Sequence, residues 1–469
     1  MSSDSQAFEG SWRRQEFAGL DFKDTRLTER LIRIADALSA HPVSAIRAAC
    51  QDWSAVKAAY RFFDNEKVSE AALLAPHFQQ TTQRMRSQER VFAIQDTTYL
   101  DYTDHPSTQG LGPIRTRAQN RRGFVKHTTL AVRGSGVPLG CLTDNVWVRD
   151  ASDTRDSKPK TFQERESYKW IQALSETQTR TPEGVEVITV CDREADIYEF
   201  FTQAKDTPFV IRAAENRKSQ DAYGTLKTLM KHTPVAGGLT LEVPARQDHP
   251  ARQADLHVRF AQTRLKPPQR SRTPQTENLP DVDTYIVEVR EPNPPEGVPP
   301  LHWVLLTNVK VNTYAEALER IHWYTHRWHI EVYFKVLKSG TKVEQARLQT
   351  KDRLLRYIAL VSVIAWRLYW LTLFNRHAPD TECTHILTEN QWKALYATTH
   401  KTCTLPTQTP TVRQATVGIA KLGGFLGRKS DGMPGVTVLW RGWQRLTDIS
   451  NTWSLFHQNS HKPTSETQH

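Results

Sequence analysis

Two aspartates follow short apolar runs that are typical of β-strands. Asp96 ends the run VFAIQD, and Asp192 directly follows VEVITVC, a nearly all-apolar run of the kind that is buried on both faces of a sheet. Carboxylates at the ends of such strands lie at a sheet edge, where open α/β sheets hold their functional sites. Each aspartate also has an ordinary alternative, because Asp often starts a turn and Asp192 is placed to cap the next helix.

A group of polar residues shares one face of the long helix that is predicted for residues 313–339. Tyr324, Arg327, Glu331 and Lys338 stand at offsets of 0, 3, 7 and 14. At about 100° per residue, these offsets place them in a stripe about 60° wide. The ordinary alternative is a solvated helix face, on which an Arg–Glu pair one turn apart adds only a few tenths of a kcal/mol. Periodicity alone leaves both interpretations open.

Both ends of this helix carry residues that are typical of helix ends. Thr313 and Glu316 have the spacing of a capping box at its start, and Gly340 is placed to cap its end. These signals predict one continuous helix, the longest in the protein, as the support of the polar stripe. A second, apolar helix is predicted for residues 352–374.

The elements that must position these residues alternate between strand and helix patterns. This alternation predicts an α/β core over residues 71–375, with a mixed sheet flanked by helices. Alternating runs inside residues 217–300 predict a β-rich insertion in that core. Helical spacing predicts a small helical domain over residues 1–70 and another over residues 376–469, which ends in a disordered tail.

Charge and cysteine content restrict the class of protein. The 469 residues include 62 Lys and Arg against 51 Asp and Glu, which favours an anionic partner, although an ordinary basic protein has the same balance. The five cysteines form no C-x-x-C pair, so neither a disulfide framework nor a zinc site is indicated. We expect a cytoplasmic protein without membrane contact, because the sequence shows no signal peptide and no uninterrupted apolar run of spanning length.

The polar stripe lies within YTHRWHIEVYFKVLK, which resembles the Y-x2-R-x3-E-x6-K signature of the insertion-sequence-four family of hairpin-forming transposases. The surroundings of the two aspartates, AIQDTTYL and VITVCDREADIY, resemble the first and second acidic motifs of that family. Further similarity includes AAYRFFDN, FVIRAAENRK, LHWVLLTN, IAKLGGFLGRK and LWRGWQRL. The resemblance therefore spans nearly the entire chain, in order and with similar spacing.

This resemblance implies an RNase H-like catalytic core in which Asp96, Asp192 and Glu331 hold two Mg²⁺ ions, with Mn²⁺ as a substitute. Hard oxygen ligands suit these ions, and two ions about 4 Å apart stabilise the attacking and leaving oxygens of a phosphoryl transfer. One ion would lower the pKa of the water that nicks a strand, and the freed 3′-hydroxyl would then attack. The implied activity is cut-and-paste transposition, with nicking, hairpin formation and resolution, and strand transfer into target DNA.

The resemblance also implies DNA contacts. Tyr324, Arg327 and Lys338 would hold backbone phosphates of the terminal nucleotides, since a guanidinium suits bidentate phosphate contact. Trp303 would stack on a flipped-out base and offset about 1 to 3 kcal/mol of unstacking. The alternative for Trp303 is a core position in its strand. Further DNA contacts, each with the alternative of an ordinary surface cation, are predicted at Arg30, Arg61, Arg193, Arg212 and Lys335.

Two basic segments have separate interpretations. Residues 114–127 are predicted to line the DNA groove or the target site, whereas residues 252–272 have the composition of a flexible, solvated loop. In the resembling family, the N-terminal domain reads the transposon end and the C-terminal domain pairs two transposases. The resemblance therefore implies double-stranded DNA as the substrate, a homodimer in the synaptic complex, and a bacterial, nucleoid-associated protein.

Two rival functions share some of these features. A plain metal-dependent nuclease of the RNase H-like class would have the same three carboxylates without the hairpin and joining steps. A DNA-binding regulator would occupy transposon ends without cutting them. The complete polar stripe and Trp303 argue against the nuclease, because hydrolysis alone has no need to unstack a terminal base. The intact set of carboxylates argues against the regulator.

Overall fold

The computed structural model describes residues 12–42, 44–50, 52–114, 120–150, 161–243, 251–268, 279–428 and 431–458. The helices of this part of the chain are α1 (Trp12–Glu16), α2 (Thr25–Ala40), α3 (Ile46–Cys50), α4 (Trp53–Asp64), α5 (Glu70–Met85), α6 (Tyr168–Arg180), α7 (Tyr198–Gln203), α8 (Leu226–His232), α9 (Tyr314–Thr325), α10 (Trp328–Lys335), α11 (Lys351–His377), α12 (Glu389–His400), α13 (Val412–Leu422) and α14 (Val436–Gln458). The strands are β1 (Arg90–Asp101), β2 (Gly112–Pro113), β3 (Arg122–Arg133), β4 (Pro138–Trp147), β5 (Glu186–Cys191), β6 (Phe209–Arg212), β7 (Gly237–Val243), β8 (Arg252–Leu265), β9 (Val282–Arg290) and β10 (His302–Thr307). The disordered tail predicted at the C-terminus lies mainly outside the described residues.

All ten strands join one mixed sheet in the order β2-β3-β1-β5-β6-β10-β9-β8-β7, with β4 paired to β3. Strands β1, β5 and β6 run parallel, and the remaining pairs are antiparallel. Strands β7, β8 and β9 extend this sheet beyond β10 rather than forming a sheet of their own. The predicted fold class is confirmed, because helices flank a mixed sheet in the manner of an RNase H-like core.

Helix α11 forms the centre of the helical layer. It begins at the N-cap Thr350, whose side chain accepts a hydrogen bond from the backbone N–H of Arg353. Its length and apolar composition match those of a membrane-spanning helix, but 78% of its most apolar stretch is buried inside the protein. The helix packs against α4, α5 and β4 on one side and against α13 and α14 on the other. It therefore serves as a core helix that joins the N-terminal and C-terminal helices to the sheet.

The predicted continuous helix over residues 313–339 is wrong. The capping box of Thr313 and Glu316 is confirmed, but α9 ends at Thr325 and a tighter turn precedes α10. In that turn, the N–H groups of His326 and Arg327 donate to carbonyls three residues earlier, which is the pattern of a 3₁₀ turn. The imidazole of His326 stacks on Phe92 of β1 at a centroid distance of 4.1 Å. Packing against the sheet thus accompanies the tighter turn between α9 and α10, and α11 is longer than α9 and α10 together.

Two further predictions need correction. Asp96 lies in the middle of β1 and not at its end, because the strand continues to Asp101. Residues 252–265 form β8 and not a loop, and their alternating burial shows why. The apolar side chains of Ala254 and Leu256 face the core while polar neighbours face solvent. The remainder of the predicted loop, from residue 269 to residue 272, lies outside the described part of the chain.

A buried ionic network ties the N-terminal segment to the rest of the fold. Glu16, the last residue of α1, accepts a hydrogen bond from His77 at 2.5 Å and two from Arg84 at 2.8 and 3.0 Å. His77 Nε2 in turn accepts a hydrogen bond from the backbone N–H of Cys141 in β4 at 2.9 Å. We call Glu16, His77 and Arg84 the N-terminal clamp. It connects α1 to α5 and to the sheet in one hydrogen-bonded chain.

Candidate active site at the sheet edge

Asp96 and Asp192 lie on neighbouring parallel strands. Gln95 of β1 pairs with Cys191 of β5, so the two aspartates are the next residues along the two strands. Asp192 also caps the short 3₁₀ turn that follows, because its Oδ1 accepts a hydrogen bond from the backbone N–H of Glu194 at 2.8 Å. Asp192 therefore does cap the following turn, as the alternative interpretation predicted, and the cap uses one of its two carboxylate oxygens.

Electrostatics link these aspartates to Glu331. Burial raises the pKa of Asp96 to about 7, and the negative charges of Asp192 and Glu331 raise it as well. A backbone hydrogen bond from Thr97 and the positive charge of Arg327 lower it. Asp192 and Glu331, which are far from Asp96 in the sequence, thus lie near enough in the fold to influence its ionisation.

Arg327 lies between two of these carboxylates. Its Nη1 is 3.4 Å from Oδ2 of Asp96, and its Nη2 hydrogen-bonds to Oε1 of Glu331 one helical turn away. Among the described residues, no group of three or more His, Cys, Asp or Glu side chains is already gathered tightly enough to hold a metal ion. The guanidinium of Arg327 thus supplies a positive charge between two carboxylates that would otherwise repel each other. Hard oxygen donors around a cation fit Mg²⁺ or Mn²⁺, for which Asp96, Asp192 and Glu331 would be the ligands.

Tyr324, Trp303 and Arg212 form a cluster beside these carboxylates. The ring of Tyr324 is buried and meets Trp303 edge-on at a centroid distance of 5.5 Å. Burial raises the pKa of the Tyr324 hydroxyl, Arg327 and a hydrogen bond with Arg212 lower it, and Asp192 raises it. Arg212 also donates to the carbonyl oxygen of His302 at 2.9 Å. Trp303 is half-buried against the core, so its strand position combines packing with partial access.

Lys338 lies on a π-helical turn (Val336–Gly340) after α10. It lines a polar cleft of about 1060 Å³. Thr97 from β1 and Arg121 from the basic segment 114–127 line the same cleft, and residues 115–119 of that segment lie outside the described residues. The cleft therefore begins one residue from Asp96.

The N-terminal helices contribute to this cleft through residues that the sequence did not single out. Arg47 of α3 and Tyr60 of α4 line one side of it, and Arg347 lines another. These residues are scattered along the chain, so no local pattern could have identified them. The lining of the cleft combines four basic side chains with three acidic ones, which are Asp101, Asp104 and Glu344, so that basic charge exceeds acidic charge by one.

The other predicted DNA contacts are more dispersed. Arg193 follows Asp192 directly and is exposed, and Lys335 is exposed at the end of α10. Arg61 is exposed on α4, whereas Arg30 lines a separate cleft between α2 and α4. Of the five predicted basic positions, Arg212 contacts the cluster beside the carboxylates, through its hydrogen bond with Tyr324.

Comparison with known protein families gives two matches, one near each end of the chain. A model of transposase DNA-binding domains matches residues 9–68, and a model of the transposase Tn5 dimerisation domain matches residues 363–456. The chain is a Tn5-type transposase.

The predicted transposase function is thereby confirmed. As a Tn5-type transposase, the protein is an enzyme that acts on DNA, and it carries a DNA-binding domain and a domain for homodimer formation. The cleft described above is lined by residues of α3 and α4, which lie within the matched DNA-binding segment, and by Thr97, the residue after Asp96. The three carboxylates lie between residues 69 and 362, outside both matched segments.

Proposed function

We propose that this Tn5-type transposase belongs to the insertion-sequence-four family and moves its element by cut-and-paste transposition, with Asp96, Asp192 and Glu331 as metal-binding carboxylates. The observation that carries the proposal is geometric: Asp96 and Asp192 follow paired residues of neighbouring parallel strands, and the guanidinium of Arg327 contacts both Asp96 and Glu331. Carboxylates that lie near one another in a partly buried position repel one another, and this repulsion favours the binding of a cation.

The bound ions would be two Mg²⁺, replaceable by Mn²⁺, and would activate a water and then a 3′-hydroxyl for phosphoryl transfer at the transposon end. The chain's own contribution is to fix the ligands. Asp96 and Asp192 are held by the backbone pairing of β1 and β5, so their spacing is set by the sheet. Glu331 approaches from α10 and is more exposed than Asp96, which leaves it room to adjust.

The remaining residues of the signature would hold the DNA end. Lys338 faces the cleft, where a lysine suits a backbone phosphate, and Arg327 would take a second phosphate. Tyr324 supports Trp303, whose partly exposed ring would stack on a base flipped out during hairpin formation. The proposed sequence of steps is nicking, hairpin formation and resolution, and strand transfer into target DNA. Two protomers would hold two inverted-repeat ends in a synaptic complex, in the cytoplasm of a bacterium at its nucleoid.

The test is an assay of the full-length protein with Mg²⁺, a target plasmid and a duplex that carries the inverted repeats flanking its gene. Hairpin-ended DNA together with joined product supports transposition. Linear nicks without hairpins indicate the nuclease, and a retarded but uncut duplex indicates the regulator. Either of these two outcomes overturns the proposed mechanism.

Substitutions test the assignment of the carboxylates. We expect Asp96→Ala, Asp192→Ala and Glu331→Ala each to abolish cleavage while end binding, measured by gel retardation, is largely kept. The matched control is Asp206→Ala, an exposed aspartate that precedes β6 at the opposite edge of the sheet. It should cut normally. Normal cutting by any of the three carboxylate variants would remove that residue from the metal site.

A further inference from the structure

The side chain of Arg327 is largely enclosed at the sheet edge. Its relative exposure is 18%, against 15% for Asp96 and 37% for Glu331, its two carboxylate partners. Arg327 belongs to the 3₁₀ turn between α9 and α10, so its backbone position is set by neither helix alone. The guanidinium is therefore held between a carboxylate of the sheet and a carboxylate of α10.

The oxygens that Arg327 contacts are those that the proposed metal site needs. Oδ2 of Asp96 and Oε1 of Glu331 accept the guanidinium. A divalent ion binds carboxylate oxygens at about 2.0 to 2.2 Å and leaves no room for a guanidinium on the same lone pairs. Guanidinium and metal are thus competitors for one set of donors.

A DNA phosphate gives Arg327 another partner of the same shape. The planar fork of a guanidinium pairs with two oxygens of a phosphate as it does with a carboxylate. Exchange from carboxylate to phosphate keeps the charge paired throughout, which matters because an unpaired charge in an enclosed site is costly. The more exposed Glu331 has space to follow such an exchange.

We propose that Arg327 makes metal binding depend on DNA: a phosphate of the transposon end draws the guanidinium away from Asp96 and Glu331, and the released carboxylates then bind the divalent ion. This inference rests on the proposed metal site and adds the order in which the site assembles. By thermodynamic reciprocity, DNA raises the affinity for metal by the same factor by which metal raises the affinity for DNA. This dependence keeps divalent ions from occupying the phosphoryl-transfer site before a DNA end is bound.

The experiment measures Mn²⁺ binding to the full-length protein by electron paramagnetic resonance, with and without DNA. The DNA is a duplex that ends at the cleavage position with a 3′-deoxy terminus, which cannot react further. For the unmodified protein we expect the duplex to tighten Mn²⁺ binding by about tenfold, a common size for coupling between two sites. For Arg327→Gln we expect tight Mn²⁺ binding without DNA and a gain from DNA of less than about twofold, because the competitor is gone.

Two matched variants guard against a loss of structure. Arg327→Lys keeps a positive charge without the planar fork and should show an intermediate gain from DNA. Arg413→Ala, which changes an exposed arginine of α13, should leave both Mn²⁺ affinities unchanged. Weaker Mn²⁺ binding by Arg327→Gln in both conditions, or an unchanged gain from DNA, overturns the proposal.

Asp96→Ala separates this inference from the function on which it rests. If Asp96→Ala lowers Mn²⁺ binding while Arg327→Gln shows an unchanged gain from DNA, the metal site stands and the role of Arg327 is refuted. If Asp96→Ala leaves Mn²⁺ binding unchanged with and without DNA, the metal site itself is misassigned.

Discussion

The substitution Glu16→Gln is expected to lower the free energy of unfolding by about 3 kcal/mol, because a neutral amide leaves the partly buried guanidinium of Arg84 without its counter-charge and cannot accept every hydrogen bond that Arg84 and His77 donate. Glu16 is 4% exposed, and its carboxylate accepts hydrogen bonds from both His77 and Arg84. His77 Nε2 accepts the N–H of Cys141, so Nδ1 carries the proton that His77 donates to Glu16.

The magnitude follows from the pKa of Glu16. Burial alone would raise this pKa, but the positive charge of Arg84 and the hydrogen bonds from Arg84 and His77 lower it from 4.5 to about 2. A lowering of that size corresponds to about 3 kcal/mol of stabilisation by the ionised form. Breaking one side of a buried ion pair costs about 3 to 5 kcal/mol in other proteins, which agrees.

The pH dependence has a definite sign. Because the folded-state pKa is depressed, the contribution of Glu16 is fully present above about pH 4.5 and is lost as the pH falls towards about 2. Urea unfolding followed by tryptophan fluorescence should therefore show the full difference between the two proteins near neutral pH. The difference should shrink to less than half at about pH 3.

The control for this measurement is Glu29→Gln. Glu29 pairs with Arg14 on an exposed surface near α1, at 2.8 Å, so its loss should change stability little at any pH. The reasoning is refuted if Glu16→Gln costs less than about 1 kcal/mol near neutral pH, or if its cost stays constant down to about pH 3.

Three other substitutions test separate parts of the structure. Asp144→Ala leaves the fully buried ammonium of Lys126 without its carboxylate and should cost about 3 to 5 kcal/mol in urea unfolding, whereas the same loss at the surface would be small. Thr313→Ala removes the cap of α9 and should cost about 1 kcal/mol in the same measurement, and no loss would show that the cap is dispensable. Trp303→Ala should slow hairpin formation more than the first nick in a time course of cleavage, and equal slowing would indicate that the indole serves packing alone.

Local signals in the sequence correctly predicted the end of a helix where that end is fixed by residues close together in the sequence. The capping box of Thr313 and Glu316 begins α9 as expected, since both partners lie within one turn. The turn between α9 and α10 could not be predicted in this way. The residues around His326 fit a helix by spacing. The turn between α9 and α10 coincides with a stacking contact of His326 with Phe92, a residue more than two hundred positions earlier in the chain.

Composition was a poorer guide than periodicity. The abundance of Arg and Gln after residue 251 suggested a solvated loop, yet the alternation of Leu256 and Val258 with polar neighbours matches β8. In a strand, every second residue is free to be polar, so a high polar content does not exclude a place in a sheet.

The sequence singled out residues for the candidate site, but it could not indicate their contacts. Both Asp96 and Asp192 were predicted to follow strands, but only Asp192 does so, because β1 continues beyond Asp96 to Asp101. The ion pair of Arg327 with Asp96 joins residues from β1 and the α9–α10 turn, and no local signal encodes such a contact. The stripe drawn on a straight helix also failed to anticipate that Tyr324 faces Trp303 while Lys338 faces the cleft.

The continuity of the sheet has a mechanical consequence for the proposed reaction. Strand β10 carries Trp303, and it is joined to β1, which carries Asp96, through the backbone ladders of β6 and β5. Moving the indole relative to the carboxylate would require several of these hydrogen bonds to stretch together. The sheet therefore holds Trp303 and Asp96 at a fixed separation. In the proposed hairpin formation, the sharp bend must be made by the DNA.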